Sequence, residues 1–260
     1  MIGLRKIGII GAMPEEINAV IELLTNRSEE TIGKRTYYSG FIDGIATVVV
    51  FSRWGKVAAA TTVTTLIQHY GITELIFTGV AGAINPLLNI GDVVLGDRLI
   101  QHDMDARPLM EQYEIPLLGK VFFETDKKQS EEIAISITEM LESKNRIPIF
   151  TKEALDNFNI KVPKLYRGDI ASGDQFFSTN KQKENLHSKL PSVLCVEMEG
   201  AAVAQVCFEY EIPFRIVRII SDVANENSHL DFPLFIKDIA SKYALEIIRR
   251  MYSVFSEERL

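Results

Sequence analysis

Arg5-Lys6-Ile7-Gly8-Ile9-Ile10-Gly11-Ala12-Met13-Pro14-Glu15-Glu16 decides the fold class of this chain. Residues 5–11 read as a buried strand, and Pro14 then stands where a helix tolerates it best, in the first turn. Glu15 and Glu16 fall in that same turn, where acids suit the positive end of the helix dipole. A buried strand that feeds a helix directly is the opening unit of an α/β sheet, whose ligand crevice forms at the carboxyl ends of its strands. Gly8 and Gly11 invite comparison with a dinucleotide-binding turn, but the third glycine is missing and Met13-Pro14 occupies its place. A carboxylate at this turn, Glu16, repels phosphate and can accept a proton from water.

The same alternation continues along the chain. Strands are expected around 35–40 and 45–52, joined by the hairpin signal Asp43-Gly44. A helix rich in small residues follows from Lys56 to about Tyr70. Glu74 to Thr78 reads as a short strand ending in the turn Gly79-Val80-Ala81-Gly82-Ala83. Asp92–Ile100 is a strand that ends at His102-Asp103-Met104-Asp105, and residues 106–123 are irregular, with Pro108, Pro116 and Gly119. A helix over about 127–143 comes next, then a strand from Arg167 to Ser172. A strand near 193–196, a helix near 199–210 and a strand from Phe214 to Ile220 follow. A final helix from about Pro233 to Val254 carries apolar residues three and four apart. Strands and helices interleave throughout with no linker or repeat. The expected fold is one α/β domain over 1–260, three layers α/β/α around a central mixed sheet.

Composition narrows the function. A chain of 260 residues, 47% hydrophobic and 24% charged, can bury a good-sized globular core. Its net charge of −7 argues against a sequence-independent nucleic-acid binder, which needs a basic face. The apolar run at the N-terminus is too short for a leader, being cut off by Pro14-Glu15-Glu16, and no run is long enough to span a bilayer. The expected location is the cytoplasm. Cys195 and Cys207 each lie in an apolar stretch and read as buried thiols of a reducing compartment. His102-Asp103-Met104-Asp105 has no second cluster at ligand spacing, so neither metal nor cofactor is expected.

Acidic residues at strand ends carry the chemistry. Val196-Glu197-Met198-Glu199-Gly200 and Arg218-Ile219-Ile220-Ser221-Asp222 each end an apolar run with carboxylates. Buried carboxylates are costly unless paired, so several around one crevice suggest function. Asp222, at the mouth of an apolar strand, suits a general acid, although an Asp there can also cap the next turn. Glu199 suits a helix first turn as well, but beside Met198 it can grip two vicinal ribose hydroxyls. Glu197 alternates to the other side and has no clear place. Phe176 and Phe177, after Ser172-Gly173-Asp174, read either as core or as a base-stacking platform.

Four motifs taken together resemble the 5′-methylthioadenosine/S-adenosylhomocysteine nucleosidases of the purine nucleoside phosphorylase-like superfamily. They are Gly8-Ile9-Ile10-Gly11-Ala12-Met13-x-x-Glu16, Ser172-Gly173-Asp174-Gln175-Phe176, Val196-Glu197-Met198-Glu199 and Arg218-x-x-Ser221-Asp222. Trp54-Gly55-Lys56-Val57-Ala58-Ala59-Ala60 and Thr78-Gly79-Val80-Ala81-Gly82 add to the match, which spans nearly the whole chain. The resemblance implies hydrolysis of the N-glycosidic bond of methylthioadenosine, adenosylhomocysteine or 5′-deoxyadenosine, releasing adenine. By it, Glu16 activates water and Asp222, steadied by Ser221, protonates N7 of adenine. Glu199 binds ribose hydroxyls, Met198 packs under the sugar, and Arg218 lies near the hydroxyls and the water. Phe176 stacks on the base, and the Phe177 backbone reads its edge. Met13, Trp54, Val80 and Phe232 line the pocket, Phe232 on the 5′ side. In the family a neighbouring subunit completes that side, with Ala106, Leu109 and Pro116 the candidates here, and a homodimer is expected because the 106–118 loop has apolar residues but few local partners.

Two departures stand out. Val80 replaces a serine whose hydroxyl can help hold the water. Trp54 and Arg53 replace a smaller aliphatic residue and a glycine. The Val-Ala-Gly form with Gln101-His102-Asp103 also resembles relatives that take aminodeoxyfutalosine, a menaquinone precursor. Phosphorolysis on the same fold is the other reading, and it needs a cationic or serine-rich phosphate cradle.

Overall fold

The computed structural model describes residues 5–142, 152–158, 160, 162–225, 232 and 235–257. Strand β1 (Lys6–Gly11) lies parallel to both β4 (Ile45–Phe51) and β5 (Glu74–Ala83). Beyond β4 the sheet continues as an antiparallel meander through β3 (Arg35–Ile42) to the edge strand β2 (Thr25–Ile32). On its other side β5 runs parallel to β10 (Phe214–Asp222), which is antiparallel to β6 (Val93–Gln101). Parallel pairing then links β6 to β8 (Leu165–Ser172) and β8 to β9 (Val193–Glu197). The short β7 (Phe123–Glu124) adds to β6.

The mixed sheet closes on itself. At Gly82 and Ala83, β5 also pairs antiparallel with β9, so β5, β10, β6, β8 and β9 form a ring. Because β10 holds one edge of β5 from Leu75 to Gly82, β1 and β9 share the other edge. β1 occupies it from Glu74 to Phe77 and β9 takes over at Gly82. The short stretch between them is a gap in the ladder where the strand order switches, the usual place for a crevice in such sheets.

Both faces of the sheet are covered, which is why its central strands read as continuous apolar runs. Ile9, Val49 and Ile76 bury into one core cluster, while Ile10, Val48, Val50, Leu75 and Phe77 bury into the other. Successive side chains thus alternate between two layers, as strand geometry requires. Helices α1 (Pro14–Ile21), α3 (Lys127–Glu142) and α7 (Ser241–Glu257, led by a π-helical turn at Ile236–Ala240) pack over the first. Helices α2 (Lys56–Gln68) and α6 (Gly200–Glu209) pack over the second. Each fully buried Ile or Val contributes roughly 1.5–3 kcal/mol relative to exposure.

Several elements differ from the reading of the sequence, the two-residue β7 among them, where Phe123 was read as part of an irregular stretch. The turn expected at Gly79–Ala83 is the upper half of β5, extended because β10 and β9 supply partners that no local signal announces. β2 was not expected: its residues Thr25–Thr31 are exposed on an outer edge, so no apolar alternation marks it. Helix α5 (Asn180–Lys189) buries Leu186 but shows no apolar stripe; the Thr179 hydroxyl caps it, accepting from Gln182 N–H. Helix α4 (Lys152–Asn157) also lacked a signal. The expected start of the last helix at Pro233 lies outside the described residues. Residues 106–122 contain no helix, and the segment is pinned by the buried Ile115 and its bridge to Lys120. Among the described residues no helix is long and apolar enough to cross a membrane.

Candidate active site

The turn from β1 into α1 folds Glu16 back over its own strand end. Its Oε2 accepts the N–H groups of Ala12 (2.6 Å) and Met13 (2.9 Å), and Oε1 accepts that of Val80 (3.2 Å). Val80 sits in the gap of the β5 ladder, so Glu16 satisfies a backbone donor that no strand reaches. Burial lifts the Glu16 carboxyl to about 7, against the opposing pull of the Arg218 charge and of the three N–H donors.

Asp222 ends β10 and is buried. The Ser221 hydroxyl donates to its Oδ2 (2.9 Å) and the Ala224 N–H to its Oδ1 (2.8 Å). Strand β5 runs bare beneath both acids. A Cβ on Gly79 would lie 2.9 Å from Glu16 Oε1, and one on Gly82 would lie 3.0 Å from Asp222 Oδ1. Gly79 and Gly82 are three residue steps apart on β5, roughly 10 Å along an extended strand.

Glu199 stands at the N-cap of α6 yet makes no cap bond to that helix; its Oε1 accepts the Gly55 N–H instead (2.7 Å). Burial, then the neighbouring Glu197 charge, push its carboxyl up to about 8. Glu197, left without a place by the sequence, accepts from the Ser172 hydroxyl, from Gly200 N–H (2.8 Å) and from Arg218 Nη2 (2.7 Å). Arg218 also lies over the Phe77 ring, 3.9 Å from its centroid. Arg218 borders the cavity, with its Nη2 donating to Glu197 and its Nη1 to the Phe77 and Val217 carbonyls. A buried arginine in one strand and a buried glutamate ending another require each other, and that was the available signal.

These groups enclose a cavity of about 350 Å³. Met13, Glu16, Trp54, Val80, Phe176, Met198, Glu199, Arg218, Ser221, Asp222 and Phe232 all line it. Phe176 and Phe232 meet edge to face at 5.6 Å, and Trp54, 60% exposed, stands at the mouth. Phe177 is buried behind, against His102, and borders a recess of about 30 Å³ shared with Phe176, Met198 and Asp222. Ala106, Leu109 and Pro116 do not reach the cavity of this chain; Leu109 is 89% exposed. In the His102–Asp105 stretch, Asp103 pairs with Lys56 (2.7 Å) and Asp105 with Arg107.

The family model described as the phosphorylase superfamily matches residues 6–253. A 5′-methylthioadenosine/S-adenosylhomocysteine nucleosidase of Anoxybacillus flavithermus is 33% identical over 246 residues, 95% of this chain and 97% of the relative. The chain belongs to the 5′-methylthioadenosine/S-adenosylhomocysteine nucleosidase family of that superfamily. A solved nucleosidase of this kind from Streptococcus pneumoniae, in complex with 8-aminoadenine, is 32% identical with a TM-score of 0.82. The two cover 96% and 99% of their respective chains. A futalosine hydrolase of Helicobacter pylori is 31% identical with a TM-score of 0.79, covering 96% of this chain and 98% of that one.

Within this nucleosidase fold the departures acquire a geometry. Val80 offers no hydroxyl, but its backbone N–H is the donor that Glu16 uses. Arg53 turns away from the cavity, its Nη2 donating to the Lys34 carbonyl (2.6 Å), so of the two replacements only Trp54 shapes the mouth.

Proposed function

We propose that this nucleosidase cleaves the N-glycosidic bond of 5′-methylthioadenosine and S-adenosylhomocysteine, with Glu16 as general base and Asp222 as general acid. Glu16 takes a proton from water as the water oxygen bonds to C1′. The C1′–N9 electron pair leaves with adenine, and Asp222 gives its proton to N7, so the products are adenine and the 5′-substituted ribose. Bond breaking loads positive charge on the sugar and negative charge on the purine. A donor at N7 and an oriented water each contribute about 10²–10⁴ in rate. The two-acid division parallels that of inverting glycosidases.

The observation that carries this reading is that both acids are buried on one cavity, over Gly79 and Gly82 of a single strand. With its carboxyl near 7, Glu16 is poised to exchange a proton at neutral pH. Glu199 and Met198 hold the ribose between the acids, Phe176 stacks on the base, the Phe177 backbone reads its edge, and Trp54, Met13 and Phe232 meet the 5′-substituent.

The similarity to a futalosine hydrolase supports aminodeoxyfutalosine as a second substrate reading. Phosphorolysis fits less well: Arg218 is paired with Glu197 and Arg53 faces the Lys34 carbonyl, so neither is offered to a phosphate. We further propose a single-domain cytoplasmic homodimer acting in methionine salvage. Its 106–118 loop, with Leu109 and Leu117 89% and 96% exposed, would close the partner's 5′ pocket; a monomer by light scattering at micromolar concentration contradicts the dimer. Turnover of methylthioadenosine, adenosylhomocysteine, aminodeoxyfutalosine and inosine, with and without phosphate, tests the whole reading. Phosphate-independent adenine release from the first two is expected, and strict phosphate dependence overturns it.

A further inference from the structure

Helix α2 starts at Gly55, a residue with no side chain to cap it. The first N–H groups of any helix need acceptors, and here two other segments supply them. Gly55 N–H donates to Glu199 Oε1 (2.7 Å), and the next, Lys56 N–H, donates to Asp174 Oδ1 (2.8 Å). Gly55 makes the turn at φ +89°, with Asp174 Oδ1 3.0 Å from where a Cβ would stand, so no other residue fits easily. Asp174 is held in turn: its N–H donates to Asp103 Oδ2 (3.0 Å), and Asp103 Oδ1 receives Lys56 Nζ (2.7 Å). Lys56 Nζ also donates to Gln101 Oε1 (3.2 Å). The clamp thus joins three segments: the loop after β8, the end of β6, and the Trp54-Gly55-Lys56 turn.

We propose that Asp174 is a positioning residue for Glu199: by fixing the Gly55–Lys56 turn, it aims the Gly55 N–H and so orients the carboxylate that grips the ribose. The inference rests on the ribose role proposed for Glu199 and extends it to a residue outside the cavity lining. Asp174 reaches the sugar through three successive links, Lys56 N–H, Gly55 N–H and Glu199. Adenine bound alone has no ribose and does not depend on that chain.

Three variants test this. D174A removes the acceptor, D174N keeps one, and K56P deletes the Lys56 N–H, together with the Nζ contacts to Asp103 and Gln101, at a first helical position that tolerates proline. D174A and K56P are expected to raise KM for methylthioadenosine about tenfold, the effect of losing a charge-assisted hydrogen bond, with kcat changed less than about threefold. Adenine affinity by titration calorimetry is expected unchanged, D174N to restore KM within about twofold, and D174A/K56P to be no worse than either single variant. An unchanged KM in both single variants overturns the proposal. So does an equal loss of adenine affinity, which would place the effect in Phe176 two residues on. Absence of adenine release by the unaltered enzyme is a different failure, that of the reaction itself.

Discussion

Arg218 Nη2 lies 2.7 Å from Glu197 Oε2, and both side chains are almost wholly buried, 1% and 4% exposed. The pair joins the end of β9 to β10 in the cavity lining, with the Phe77 ring under the guanidinium. Removing one partner strands the other charge in the core, which costs about 3–5 kcal/mol. Arg218→Met is therefore expected to lower unfolding free energy by about that amount in urea titration. Glu197 would keep its Ser172 and backbone donors but lose its counter-charge. A loss below about 1 kcal/mol contradicts the assignment.

The raised carboxyl of Glu16 makes a separate prediction about stability. A group held near 7 in the fold and near 4.5 when unfolded binds more protons in the native state between those values. Its contribution is full below the lower value and is lost as pH rises through the upper one. Glu16→Gln, which cannot ionise, is expected to be more stable than the parent at pH 8, by up to about 3 kcal/mol, with the difference fading towards pH 5. Thermal unfolding at the two pH values measures it; an equal or reversed difference refutes it. Glu199, pushed up mainly by burial, loses stability in the same direction over a window reaching about 8.

Gly79 tests how rigidly Glu16 is held. A methyl group there would meet Oε1 at 2.9 Å, while three backbone donors keep the carboxylate from retreating. Gly79→Ala is expected to cut kcat at least tenfold. Displacing one catalytic group by about 1 Å is enough for losses up to 10²-fold. Full activity would show that the carboxylate has room to shift.

Much of the fold was legible because the central strands are covered on both faces. Ile7 to Ile10 and Phe214 to Ile220 are apolar at every buried position except the arginines, so their runs stand out. β2 and α5 were not legible, since neither buries a stripe: nearly all of β2 faces water, and α5 buries Leu186. The upper half of β5 was misread because glycines at 79 and 82 carry the local signature of a turn. They are there to let two carboxylates approach a strand. At the site, Glu199 and Asp222 were visible as acids closing apolar runs, and Glu16 as an acid in the first helix turn after a buried strand. Glu197 had no clear place, because its role lies in a long-range pair with Arg218 whose one sign in the sequence is an arginine and a glutamate each set in an apolar strand.

The claim that separate acids serve the water and the purine is tested most directly by the kcat of Glu16→Gln and Asp222→Asn on methylthioadenosine, measured beside their affinity for adenine. The account predicts that each loses about 10²–10⁴ in kcat while adenine still binds. A rate within about threefold of the parent in either variant, against that 10²–10⁴ expectation, would contradict the role given to that acid.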